Sequence, residues 1–168
     1  PRTAPEGSTD EADYSDAIVR LIQRSTITWD DIAGLETTKR AIKIAYGLSV
    51  AQRPLGVELG GWRTMLFYGP PGTGKTLLAA ATSNGLSATF FSVKVSDLLS
   101  KYFGESTRLI SALFAEARTQ APSVIFLDEF DALTPPRGGG ESGAERRIIS
   151  TLLAELDGLA TKNDDAYV

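Results

Sequence analysis

The residues Gly69-Pro70-Pro71-Gly72-Thr73-Gly74-Lys75-Thr76 fit the pattern G-x-x-x-x-G-K-[ST], a combination suited to holding phosphate groups. Glycines let successive backbone N–H groups turn inward, with no Cβ in the way. A helix opening directly after them adds the partial positive charge of its N-terminus. Lys75 is expected to reach the β- and γ-phosphates of a nucleotide, and the Thr76 hydroxyl to ligate Mg²⁺. The nucleotide-contacting stretch then runs from Gly69 to Leu77. Such a loop needs a metal-organising acid on a neighbouring strand. Val124-Ile125-Phe126-Leu127-Asp128-Glu129 supplies it: four apolar residues, then two carboxylates. Asp128 is expected to hold Mg²⁺ through water. Glu129 is expected to orient and deprotonate the attacking water. Composition narrows the choice of base. The chain has no histidine and no cysteine, which excludes disulfides, thiol catalysis, zinc sites and imidazole acid–base chemistry. Proton transfer falls to carboxylates, lysine or water.

The surrounding elements decide whether these residues meet. Met65-Leu66-Phe67-Tyr68 reads as a buried strand before the glycine loop, and Leu77-Leu78-Ala79-Ala80-Ala81 as the helix after it. Thr89 to Val93 and Ser123 to Leu127 read as further strands. A short helix is expected around Val95 to Ser100. A longer one starts at Ser106, with Leu109, Ile110, Leu113, Phe114 and Ala117 on one face; Ala121-Pro122 marks its end. Glu36 to Leu48 and Glu145 to Leu156 read as helices closed near Gly47 and by Gly158. Ala166-Tyr167-Val168 reads as the start of another strand. Strands alternating with helices predict an α/β domain whose parallel sheet is sandwiched by helices, with ligands at the strands' C-terminal ends.

The first ten residues are polar and proline-rich and read as a lead-in. Tyr14, Ala17, Ile18, Leu21 and Ile22 would share one face of a short helix from Tyr14 to Arg24. Residues 1–27 are therefore expected to be a linker and 28–168 the catalytic domain. Gly138-Gly139-Gly140-Glu141-Ser142-Gly143 fits G-x-G-x-x-G, but it follows Pro135-Pro136-Arg137 and not a strand, so it reads as a loop. A net charge of −4 and a pI near 4.9 argue against bulk electrostatic attraction to nucleic acid. No apolar run reaches membrane-span length, and an intracellular, cytoplasmic protein is expected.

Together with Thr28-Trp29-Asp30-Asp31-Ile32-Ala33-Gly34-Leu35, Ser100-Lys101-Tyr102-Phe103-Gly104-Glu105-Ser106, Leu127-Asp128-Glu129-Phe130-Asp131 and Glu145-Arg146-Arg147, the glycine loop resembles the AAA ATPases. Within them the chain is similar to the branch of Vps4, katanin, spastin, fidgetin and archaeal relatives, over about Thr28 to Val168. The resemblance implies ATP and Mg²⁺ as cofactors, with Asp31, Ile32 and Ala33 lining the adenine pocket. It implies that Lys101, Tyr102, Phe103 and Gly104 form the first pore loop of a hexameric ring and grip a protein client. Thr134 to Glu145 matches the second pore loop. Arg146 and Arg147 match an arginine pair near the interface between ring members, although a solvated helix face explains them nearly as well.

In the resembled family the chain continues through a sensor strand, arginine fingers and a helical lid. That sensor strand lies between the glycine-loop strand and the Asp128 strand. The sequence stops at Val168, inside the matching element. A fragment is therefore expected, without the adaptor-binding region and weakly active or inactive by itself. Two other functions stay open at this point: a nucleic-acid remodeller of the clamp-loader or helicase type, and a nucleotide-switched scaffold with little turnover.

Overall fold

The computed structural model describes residues 18–19, 21–23, 25–50, 63–101, 105–133, 143–161 and 168. Three strands are present among them: β1 (Ile22–Gln23), β2 (Thr89–Lys94) and β3 (Ser123–Asp128). The helices are α1 (Glu36–Val50), α2 (Lys75–Gly85), α3 (Val95–Lys101), α4 (Ser106–Thr119) and α5 (Gly143–Thr161). Short 3₁₀ turns occupy Trp29–Asp31 and Phe130–Leu133.

β2 and β3 pair in parallel, from Thr89 opposite Ser123 to Lys94 opposite Asp128. Alternation along β2 sends neighbouring side chains to opposite faces. Phe91 and Val93 enter the main core with Val95 and Leu98 of α3, Leu109, Leu113 and Phe114 of α4, and Ile148 and Leu152 of α5. Phe90 faces the other way, onto Ala79 and Ala80 of α2, and stacks on Phe126 with ring centroids 6.4 Å apart. Helices therefore cover both faces, as expected of this class. In α4 the five apolar residues predicted to share a face are all buried. Arg118 of α4 and Glu155 of α5 meet at 2.8 Å, so the two outer helices are also tied by charge.

The sheet is mixed, not parallel throughout. β1 pairs antiparallel with β2, Ile22 opposite Phe91 and Gln23 opposite Phe90. The helix expected from Tyr14 to Arg24 is corrected at the same place. Ile18 and Val19 are helical, the Leu21 N–H closes a turn onto the Ile18 carbonyl at 2.9 Å, and the chain then becomes a strand. An open edge on β2 offers backbone partners that a short helix lacks. Ile18, Leu21 and Ile22 still reach the main core, so the apolar spacing is satisfied by a turn leading into an edge strand.

Met65 to Tyr68 is not a strand. Leu66 and Tyr68 are 77% and 90% exposed, and only Phe67 packs, between α2 and the sheet. A strand needs a neighbour for its N–H and C=O groups, and no described segment pairs with this one. Of the strand expected at Ala166 to Val168, only Val168 lies among the described residues; it packs against the main core. α1 ends soon after Gly47, as expected, whereas Gly158 does not end α5. α1 continues to Val50 and α5 to Thr161, because a helical glycine costs only about 1 kcal/mol, less than the apolar faces of these helices gain.

Candidate functional site

α2 positions the glycine loop. Its C-terminal end turns through Leu86–Ala88 straight into β2, so helix and strand run in opposite directions. Its eleven residues span about 16 Å, close to the length of β2. Lys75 thus stands at the sheet edge where β2 and β3 end, the edge from which Asp128 and Glu129 emerge. Sequence order alone could not establish that meeting; the packing of Ala79 and Ala80 against β2 and β3 does.

The loop's backbone requires glycine by sign. Gly69, Gly72 and Gly74 have φ of 147°, 78° and 88°. A Cβ at Gly72 or Gly74 would meet nothing within 4 Å, so open space lies beside them, enough for a phosphate to approach the backbone. Gly74 caps α2 without any side-chain acceptor, which leaves the first-turn N–H groups for an anion. Thr73 Oγ1 donates to the Pro70 carbonyl at 2.9 Å and braces the loop. Lys75 Nζ folds back onto the Gly69 and Pro70 carbonyls at 3.0 and 2.8 Å. Pro71, Thr76 and Leu77 are exposed along the same stretch. Phosphate oxygens would give Lys75 anionic acceptors in place of neutral ones, a stronger hydrogen bond.

The carboxylates differ in surroundings. Asp128 Oδ1 accepts the Glu129 N–H at 2.9 Å, and the Asp128 backbone lies opposite Lys94 in the register. Glu129 has φ of 55°, a left-handed conformation uncommon outside glycine and one that turns its side chain off the strand end. Its Oε2 accepts from Ser96 Oγ at 2.5 Å, and its Oε1 lies 3.7 Å from Lys94 Nζ. Ser96 and Lys94 are site residues that sequence reading missed. Lys94 had a signal, since parallel pairing of the two strands sets it opposite Asp128. Among the described residues no three His, Cys, Asp or Glu side chains gather to hold a metal. The donors present, the Thr76 hydroxyl and the Asp128 carboxylate, suit Mg²⁺ bound mainly by substrate phosphates and water.

The segment expected to border the adenine is built separately. Asp31 Oδ2 accepts from the Thr28 N–H at 2.7 Å and the Thr28 hydroxyl at 2.8 Å. These bonds, the backbone one first, hold the Asp31 carboxyl below the usual carboxylate range. Ile32 is 6% exposed and packs with Ile42 of α1 and Leu78 and Ala81 of α2. Ala33 is exposed. The segment is stitched to the glycine-loop helix by Asn84 Nδ2, which donates to the Ile27 carbonyl at 3.0 Å. Tyr102, Phe103 and Gly104 lie outside the described residues, as does the side chain of Lys101, the last residue of α3. Residues 134–142, most of the expected second pore loop, lie outside as well, while 143–145 at its end begin α5. Arg146 and Arg147 are exposed on α5.

A family profile described as "ATPase family associated with various cellular activities (AAA)" matches residues 65–168, more than half of the chain. The chain belongs to the AAA ATPase family. A second profile, described as that of a magnesium chelatase, matches residues 28–94, which span the glycine loop. Among curated proteins, this AAA chain is 44% identical to "Protein SUPPRESSOR OF K(+) TRANSPORT GROWTH DEFECT 1" of Arabidopsis thaliana, over 98% of its own length and 38% of the relative's. It is 43% identical to a katanin-like p60 ATPase protein of Xenopus tropicalis, over 88% and 28%. The same identity relates it to "Vacuolar protein sorting-associated protein 4B" of Mus musculus, over 88% and 34%. The chain thus spans about a third of the length of these relatives. The structure "Crystal structure of FIGL-1 AAA domain" superposes with a TM-score of 0.76 at 34% identity, covering 97% of this chain and 54% of that one. "Structural Basis for Katanin Self-Assembly" superposes with 0.71 at 34%, covering 94% and 50%. The expected family and the expected P-loop NTPase fold are borne out. Among the described residues, no helix is long and apolar enough to cross a membrane.

Proposed function

We propose that this chain is the ATP-binding and hydrolysing module of a ring-forming motor that remodels or translocates protein clients. One observation carries the reading: a glycine loop at the N-terminus of α2 stands at the same sheet edge as the Asp128–Glu129 pair. The β- and γ-phosphates lie on the loop N–H groups, and Lys75 leaves the Gly69 and Pro70 carbonyls for them. Thr76 and Asp128 would hold Mg²⁺, which would supply charge neutralisation at the phosphates. Glu129 leaves Ser96, orients a water and takes its proton as that oxygen attacks the γ-phosphorus, while the bond to the β,γ-bridging oxygen breaks and ADP leaves with that electron pair. Asp31, Ile32 and Ala33 border the adenine.

Likeness to katanin-type and Vps4-type proteins supports a protein client and a homo-oligomer, with a hexamer as the proposed ring. Lys101, the last residue of α3, and Tyr102, Phe103 and Gly104, which follow it in sequence before α4, are proposed to grip the client in the pore. Arg146 and Arg147 are proposed to face the adjoining copy in the ring. The test uses the full-length protein and measures phosphate release with added unfolded polypeptide or nucleic acid. Stimulation by polypeptide is expected, with Tyr102→Ala keeping most ATPase activity and losing client processing. Stimulation by DNA or RNA with a steep salt dependence would replace this reading with a nucleic-acid motor. ATP-dependent assembly without phosphate release would replace it with a scaffold.

A further inference from the structure

Lys39 is a lysine in an unusual place. It sits on the second turn of α1, and its side chain is 10% exposed. Long helical side chains lean back toward the helix N-terminus, so Lys39 reaches over the turn that leads into α1. Its Nζ donates to the Ile32 carbonyl at 2.5 Å and to Glu36 Oε1 at 2.9 Å. Burying an ammonium is costly, and a methionine would fill the same apolar space at lower cost. The charge is therefore directed at the Ile32 carbonyl. That carbonyl belongs to a turn that needs holding, because Gly34 and Leu35 both have positive φ, 70° and 58°. For leucine this is a disfavoured conformation.

Ile32 is fixed twice. Its side chain packs on Leu78 and Ala81 of the P-loop helix, and its carbonyl is held by Lys39. In a trans peptide the C=O and the following N–H point in opposite directions. Fixing the Ile32 carbonyl toward α1 therefore aims the Ala33 N–H away from α1, and Ala33 is exposed. A fixed N–H donor selects for a base with an acceptor in reach. Adenine N1 is an acceptor, whereas guanine N1 carries a proton and would leave both donors unpaired.

We infer that Lys39 is a positioning residue for nucleobase selection: by holding the Ile32 carbonyl it sets the Ala33 N–H as the donor that reads adenine N1. The inference rests on the proposal that Asp31–Ala33 border the base. The experiment measures equilibrium binding to the full-length protein of ATP, 1-deaza-ATP (which lacks the N1 acceptor), GTP and tripolyphosphate (which lacks the base). Wild-type protein is expected to prefer ATP over 1-deaza-ATP by about tenfold, the worth of one well-placed hydrogen bond. Lys39→Met is expected to bring that ratio, and the ATP-over-GTP ratio, close to one, with tripolyphosphate affinity unchanged. Lys39→Arg, which keeps a charged donor, is expected to restore the preference. Lys39→Gln, too short to reach the carbonyl from the same helix position, provides the same comparison if the methionine variant does not fold. Equal wild-type affinity for ATP and 1-deaza-ATP would overturn the base contact itself. A wild-type preference that survives in Lys39→Met or Lys39→Gln would overturn the role of Lys39 while leaving the base contact standing. Loss of tripolyphosphate binding in a folded variant would likewise overturn it, because a positioning role at the base leaves the phosphates untouched.

Discussion

At the scale of single residues, the chemistry lies in which partners each charged group holds. Lys75, Thr76, Asp128 and Glu129 were legible in the sequence because each belongs to a spacing that has one good chemical use. Ser96 and Lys94 were not, because their meaning comes from β2 ending beside β3. Both now hold Glu129 on the β2–α3 side. The Lys94 contact is weak in stability terms. The two side chains are 60% and 48% exposed at 3.7 Å, and such pairs contribute at most about 1 kcal/mol. Lys94→Ala should therefore leave the melting temperature essentially unchanged. If Glu129 must leave this contact to reach water, the same energy bounds the kinetic effect. Basal phosphate release should rise by no more than roughly fivefold. Lower turnover in that variant would mean that Lys94 assists catalysis and does not restrain Glu129.

At the scale of elements, the helices and the β2–β3 pair followed from apolar periodicity, and the failures share a cause. Periodicity reports which side chains want burial, not which backbone groups find partners. Ile18, Leu21 and Ile22 show helical spacing, yet Ile22 ends in an edge strand, because the exposed edge of β2 decided the outcome. Met65 to Tyr68 reads as a strand and is not one, because no described neighbour takes its hydrogen bonds. The end of α2 offers a test of how closely the Trp29–Ala33 segment is fitted to the P-loop helix. A Cβ at Gly85 would lie 2.7 Å from Trp29 Nε1. Trp29 is half-buried, and Lys43 lies over its ring at 5.1 Å, so it has little room to yield. Glycine to alanine within a helix normally gains about 1 kcal/mol. Overpacking a fitted contact costs about 1–3 kcal/mol. Gly85→Ala should thus be net destabilising in chemical denaturation and should weaken ATP binding by displacing the Trp29–Asp31 turn. A more stable variant with unchanged affinity would mean that Trp29 moves aside freely.

At the scale of the whole molecule, one sheet face is closed by α4 and α5, while the P-loop side leaves Met65, Leu66, Tyr68 and Leu77 exposed. Met65, Leu66 and Tyr68 belong to the apolar run that reads as a strand in the sequence. The chain spans about a third of its curated relatives, and ring formation, client and pore are properties proposed for the full-length protein. All of these proposals rest on one proposed chemical step, proton removal from water by Glu129. That step is tested most directly with Glu129→Gln in the full-length protein, measuring ATP binding and phosphate release side by side. The substitution keeps size and hydrogen-bonding ability but removes the base. The account predicts ATP affinity within about threefold of wild type and phosphate release lower by about a hundredfold or more, the usual worth of a general base. Normal phosphate release in that variant would contradict it and move the base elsewhere.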